Sequence, residues 1–147
     1  MTLAPAHAVR PLRAMVLRPG LPIEAAVFPA DEATTTWHFA AYAPDDTVIG
    51  VASYFLETYP DLPAKLPYRL RGMATHPTLQ RRAGIGTALL RESLGLLRRQ
   101  GADLVWCYAR LPAVPFYAKN GFLRLDRAGV IEIQGIGPHE VWYIPLQ

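Results

Sequence analysis

Cysteine is almost missing from this chain of 147 residues: a single one, Cys107, excludes an intramolecular disulfide framework. It lies in the apolar run at 104–108, a setting that suits a buried structural thiol better than a nucleophile. Long hydrophobic runs are missing too. Hydrophobic residues make up 51% of the chain, yet nowhere do they form the roughly 18 consecutive apolar residues that a spanning helix needs. The opening MTLAPAHAVRPLRAMVLRPG lacks the unbroken apolar stretch of a secretion signal, so the expectation is a soluble, cytoplasmic protein away from membranes. Charge of one sign is also scarce: 15 basic residues, nearly all arginine, face 12 acidic ones for a net +3, too small and scattered an excess to argue for nucleic acid. There is no acidic cluster to attract a polycation such as an aminoglycoside or a polyamine, and no metal is called for.

What is present fits one globular domain over residues 1–147, long enough to bury a core. Fourteen prolines are dispersed among apolar stretches and read as turn punctuation rather than as a disordered tract. Residues 12–17 are short and mixed, and 18–35 (RPGLPIEAAVFPADEATT) read as a punctuated loop or short helix. TWHFAAYA (36–43) and VIGVASYFLET (48–58), joined by PDDT, predict a β-hairpin. After the proline-rich loop 59–67, YRLRGMAT (68–75) alternates Tyr68, Leu70 and Gly72 against Arg69, Arg71 and Met73, as a strand with one half-polar face would. A helix is expected from 84 to 100: at about 100° per residue, Ile85, Leu89, Leu90, Leu94, Leu96 and Leu97 share a broad arc opposite Arg91, Glu92, Arg98 and Arg99. DLVWCY (103–108) reads as a buried strand, 116–120 as a short helix, and FLRL, Val130–Ile133 and 141–145 as closing strands. The order means α/β or α+β with a mixed sheet.

The long helix has an unusual entrance. Its first acidic residue, Glu92, comes two turns in, and Arg81-Arg82-Ala83-Gly84 stands where an acidic or hydroxyl cap is usual. A bound anion would satisfy the orphan N–H groups, with Gly84 and Gly86 letting it approach the backbone. A turn capped by water would use the same glycines. A Walker loop is excluded because no Gly-Lys pair exists, and a dinucleotide fingerprint because Leu89 stands in place of the third glycine.

Arg81-Arg82-Ala83-Gly84-Ile85-Gly86 matches R/Q-x-x-G-x-G/A, and Ala113–Phe122 (AVPFYAKNGF) matches A-x-x-F-Y-x-x-x-G-F. Through these two motifs and the strand segments RLRGMATHP and ADLVWCYAR, residues 68–124 resemble the GNAT superfamily of N-acetyltransferases. The resemblance implies a twisted mixed sheet of about six to seven strands flanked by helices, with a V-shaped cofactor cleft between two central strands. It further implies that acetyl-CoA donates an acetyl group to a primary amine of a small molecule or peptide by direct attack. By the same analogy the backbone of Arg82, Ala83, Gly84, Ile85, Gly86 and Thr87, with Arg81, holds the pyrophosphate, and the edge Met73, Ala74 and Thr75 pairs with the pantetheine arm. Met73 or Ala74 offers an N–H to the oxyanion, Phe116 and Tyr117 line the cofactor, and Tyr117 protonates the departing thiolate. Relatives often carry asparagine, which touches the pantetheine arm, where this chain has Arg110; either that contact is lost, or Arg110 instead reaches a phosphate or an acidic group on the acceptor. Glu57 is the first choice of base, acting through water, with His76 and His139 behind it.

The acceptor is expected between segment 18–37, loop 58–67 and the C-terminal strands, with Trp37, Tyr59, Tyr68 and Trp142 either lining a pocket or filling the core. A homodimer is compatible with this reading. Two rivals remain: a non-catalytic acyl-CoA-binding or sensing module of the same fold, and a small basic nucleic-acid binder.

Overall fold

The computed structural model describes residues 2–79 and 84–146. Eight strands form one mixed sheet: β1 (Thr2–Leu3), β2 (Trp37–Tyr42), β3 (Val48–Leu56), β4 (Pro67–Thr75), β5 (Leu104–Arg110), β6 (Leu123–Arg124), β7 (Val130–Ile133) and β8 (Gly137–Pro145). Their order is β1-β2-β3-β4-β5-β8, and β6 and β7 pair in succession along the far edge of β8. Every pairing is antiparallel except β4 with β5. The fold is the expected α+β architecture, with the two-residue β1 as the strand that is too short to show a period.

Three helices cover the sheet: α1 (Ala6–Leu17), α2 (Ile85–Arg99) and α3 (Val114–Lys119). The α2 stripe sinks Leu89, Leu90, Leu94 and Leu97 into a cluster with Phe39, Ala52, Tyr54 and Leu70, while Arg91, Glu92, Arg98 and Arg99 stay exposed. Its C-terminus closes as its sequence implies: Gly101 turns at φ +95°, and the N–H groups of Gly101 and Ala102 reach the carbonyls of Arg98 and Leu97.

Helix α1 corrects the reading of 12–17 as a short mixed segment. It begins six residues earlier and runs through Pro11, which removes one internal hydrogen bond. Packing compensates, since Val9 and Leu12 are buried against Ala40, Val51 and Ala74 on the sheet face opposite α2. Arg13, wholly buried, ties the helix down through Asp31 (2.8 Å), Ser53 (2.9 Å) and the Ala26 carbonyl (2.7 Å).

Two features prepare the centre of the sheet. The ladder of β4 with β5 holds Pro67↔Leu104, Tyr68↔Val105 and Arg69↔Trp106 and stops, although both strands run on. Within β4, one residue more than in β3 separates the pairs Val51↔Ala74 and Ser53↔Arg71, so Gly72 and Met73 together oppose Ala52. Gly72 takes φ +71°, the left-handed conformation of a glycine bulge. The bulge interrupts the alternation expected along 68–75: Leu70 and Met73 join the α2 cluster, and Ala74 joins the α1 cluster.

Candidate active site

Where β4 and β5 part, a cleft of about 170 Å3 opens through the sheet. Met73, Ala113 and Tyr117 belong to the cluster beneath α2, while Arg18 and Phe28, from the end of α1 and the segment after it, wall the opposite mouth. Ile133, Ile136 and His139 close it from the β7–β8 hairpin.

Tyr117 sits at the floor of this cleft, 8% exposed, wedged between Phe116 and Phe122 at ring separations of 5.3 and 5.2 Å. Burial, reinforced by Cys107 and Tyr54 nearby, pushes its phenol well above the ordinary range, so it keeps its proton. No hydrogen-bond partner engages its hydroxyl among the described residues. Cys107 is buried as expected, and burial raises its thiol to about 12 against the opposing pull of Arg69. It is a core residue with no thiolate to offer.

The cofactor side converges at Gly86. A Cβ built there would stand 3.4 Å from both Phe116 and Thr75 Oγ1, so this glycine brings the first turn of α2 against the end of β4 and against α3. Gly84 caps the helix in the left-handed conformation (φ +60°), with no side-chain cap and nothing within 4 Å of an added Cβ among the described residues, and the first turn carries no acidic residue. Gly84, Ile85, Gly86 and Thr87 therefore offer a helix entrance suited to a phosphate. Arg81, Arg82 and Ala83 lie outside the described residues. Beyond Arg69 no rung of the ladder joins β4 to β5, so the β4 edge through Leu70, Met73 and Ala74 suits an extended, amide-bearing chain laid beside it. These features fit the pantetheine arm and pyrophosphate of a coenzyme A.

Other expected residues fall differently. Glu57 does not line the cleft; its side chain is 44% exposed and pairs at 3.5 Å with Arg69, which does. His76 bonds Thr78 on the surface, whereas His139 lines the cleft opposite Arg110 in the ladder. His139 Nδ1 donates to the Gly137 carbonyl (2.8 Å), which leaves Nε2 of the neutral ring as an acceptor. Arg110 is a lining residue and reaches the Leu17 carbonyl at 3.4 Å. No residue of loop 58–67 lines the cleft: Tyr59 and Leu62 pack on Trp106, beside the lining residue Tyr108, whose ring lies 6.1 Å from that of Tyr59. Trp37 donates to the Tyr68 hydroxyl (3.3 Å) and Trp142 to Glu140 (2.9 Å), so these aromatics serve the core and its rim. The aromatic lining residues are Phe28, Tyr108 and Tyr117. Phe28 was hidden in a segment without periodicity, where only its flanking prolines signal order.

A family model described as Acetyltransferase (GNAT) family matches residues 14–122. The "Uncharacterized N-acetyltransferase YitI" of Bacillus subtilis (strain 168) is 34% identical over 136 residues, covering 92% of this chain and 89% of that protein. In fold, the chain resembles an aminoglycoside 6'-N-acetyltransferase complexed with coenzyme A (TM-score 0.74, 12% identity, 100% of this chain and 98% of that one). It also resembles an acetyltransferase of the GNAT family from Staphylococcus aureus Mu50 (TM-score 0.71, 14% identity, 97% and 93%). The splayed parallel pair, the tyrosine in its fork and the uncapped helix beside it thus occur in a chain that matches that family over most of its length, and the protein belongs to the GNAT family of N-acetyltransferases.

Proposed function

We propose that the protein transfers an acetyl group from acetyl-CoA to a primary amine by direct attack. The observation that supports this most is the interrupted β4–β5 ladder, which leaves a strand edge, a bulged backbone and a protonated tyrosine facing one small cleft. Acetyl-CoA would supply the acyl group as a thioester, reactive enough for a neutral amine to attack.

The N–H groups from Arg82 to Thr87, together with Arg81, bind the pyrophosphate, and Met73, Ala74, Thr75, Phe116 and Arg110 line the arm. As the C–N bond forms and the C–S bond breaks, the N–H of Met73 or Ala74 donates to the carbonyl oxygen where negative charge develops. Tyr117 gives its proton to the departing sulfur. The amine loses its proton to water that leads to His139 Nε2 or, at the rim, to Glu57. His139 is the better placed of the two because it lines the cleft, whereas Glu57 already neutralises Arg69.

Thiol release from acetyl-CoA, measured over a panel of primary amines, tests the reading. Tyr117→Phe should lower kcat by roughly 10²–10⁴ with little change in acetyl-CoA affinity. Unchanged turnover removes Tyr117 from the chemistry. Retained binding with no turnover on any amine favours the non-catalytic acyl-CoA module.

A further inference from the structure

The cleft walls are crowded with like charge. Arg18, Arg69, Arg71 and Arg110 all line it, and no aspartate or glutamate does among the described residues. Arg69 has Glu57 as a partner, and the buried Arg13 behind the wall has Asp31. Arg18, Arg71 and Arg110 have no carboxylate partner among the described residues.

Their placement is ordered rather than splayed into solvent. Arg71 sits over Phe28, its guanidinium carbon 4.0 Å from the ring centroid, with Arg13 at the same distance and Arg18 at 5.7 Å. Arg18 and Arg110 both donate to the Leu17 carbonyl, at 2.9 and 3.4 Å, so two cations share one acceptor. Partial burial, together with the charges of Arg69, Arg18 and Arg13, pulls Arg71 down to about 10, with Glu57 the weak opposing influence. Like charges held this close are unfavourable until an anion enters, and planar guanidinium forks suit a bidentate oxyanion.

We propose that the acceptor amine carries its own oxyanion, carboxylate or phosphate, a few bonds from the nitrogen, and that Arg71 and Arg18 bind it. The proposal rests on the acetyltransferase reading above and names the class of acceptor. Arg71 and Met73 flank the bulged Gly72 in β4 and all three line one cleft, so an amine attacking a carbonyl held at the Met73 N–H and an oxyanion at Arg71 fit within one small molecule. The arginines gather around Phe28, across the sheet from the α2 cluster, and so are separate from the helix entrance offered to the cofactor phosphates. Ile133 and Ile136 give the same cleft an apolar wall.

Binding and turnover separate this proposal from the one it rests on. With CoA present, calorimetric titration would compare N-acetyl-L-leucine with N-acetyl-L-leucinamide, and N-acetylethanolamine phosphate with N-acetylethanolamine. At least one anionic member should bind 10–100-fold more tightly than its neutral partner, and the pair that discriminates identifies the oxyanion. Arg71→Gln and, separately, Arg18→Gln should erase most of that preference while the acetyl-CoA dissociation constant stays at the parent value. Thiol release with L-leucine, L-leucinamide, O-phosphoethanolamine and ethanolamine should show the same preference in kcat/KM. Equal binding within both pairs, no binding of either anion, or a preference that survives in both variants overturns the proposal. Absence of acetyl-CoA binding or of thiol release counts instead against the transferase reading, and leaves the titration to decide the anion site.

Discussion

Asp31 is the residue on which the back wall of the cleft depends. Burial alone would raise its carboxyl, but the hydrogen bonds from Arg13 and the Phe28 N–H, with the charge of Arg13, outweigh burial and hold it below the usual carboxylate range. Around it Arg13 donates to Ser53, and His38 is bonded to Ser53 (2.6 Å) and to the Asp31 carbonyl (2.8 Å). Asp31→Asn leaves a buried guanidinium without its counter-charge and should cost about 3–5 kcal/mol in urea unfolding. The double change Arg13→Met with Asp31→Leu should cost less than the two single changes added together. A depressed carboxyl contributes stability that is present above its unfolded pKa, near 3.9, and is lost as pH falls through the lower folded value. The stability gap between parent and Asp31→Asn should therefore be flat from pH 5 to 8 and close only in stronger acid. Tyr117 has the opposite sign: raised by burial, it stays protonated through neutral and mildly alkaline pH. The rate loss in Tyr117→Phe should accordingly be the same at pH 7 and pH 9; convergence of the two rates as pH rises would show a phenol that titrates too early.

At the scale of elements, the bulge in β4 and the entrance of α2 both rest on glycine, for different reasons. A Cβ at Gly72 would meet Arg13 Nε at 2.8 Å and Phe28 at 3.0 Å, in a backbone conformation that side chains rarely adopt. Gly72→Ala should lose at least 1–2 kcal/mol and lower kcat, because relaxation of the bulge moves the Met73 N–H. Gly84 has the strain without the clash, so Gly84→Ala should cost about 1 kcal/mol and little else. Gly84→Glu should also weaken acetyl-CoA binding, since it sets a carboxylate against the proposed pyrophosphate. These elements show how much of the site could be read from the chain. The α2 stripe and the hairpin announce themselves through period and turn chemistry, whereas the splayed central strands and the FY motif are legible only through the resemblance to the family. Helix α1 does not, because Pro11 breaks its local signal and its stability comes from burial of Val9, Leu12 and Arg13. The bulge is invisible for a related reason: one residue inserted into β4 shows only against the register of β3. The arginine wall is invisible as well, since Arg18, Arg71 and Arg110 are far apart in sequence and meet only when three elements converge.

For the molecule as a whole, a cofactor that spans the gap should act as a clamp. At 100 times its dissociation constant, a ligand that binds only the folded state adds about 2.7 kcal/mol, which for a domain of this size corresponds to a rise of roughly 5–10 °C in Tm. Acetyl-CoA should produce that shift in the parent and a smaller one in Gly84→Glu. Chain order divides the sheet at Gly101, while one cluster beneath α2 joins the two parts, with Tyr54, Leu89 and Leu90 from the first and Val105, Cys107, Tyr117 and Trp142 from the second. Strands β1–β4 with α1 and α2 come before Gly101; β5–β8 with α3 come after it, and three rungs between Pro67–Arg69 and Leu104–Trp106 form the seam. Asp103 fastens that seam by accepting from the N–H groups of Lys65 and Leu66. A chain cut at the exposed Gly101 turn should thus yield two fragments that are sticky alone and that reassemble by edge pairing when mixed. Such a split reporter would regain its fork, and with it any affinity for acetyl-CoA, only when both halves meet.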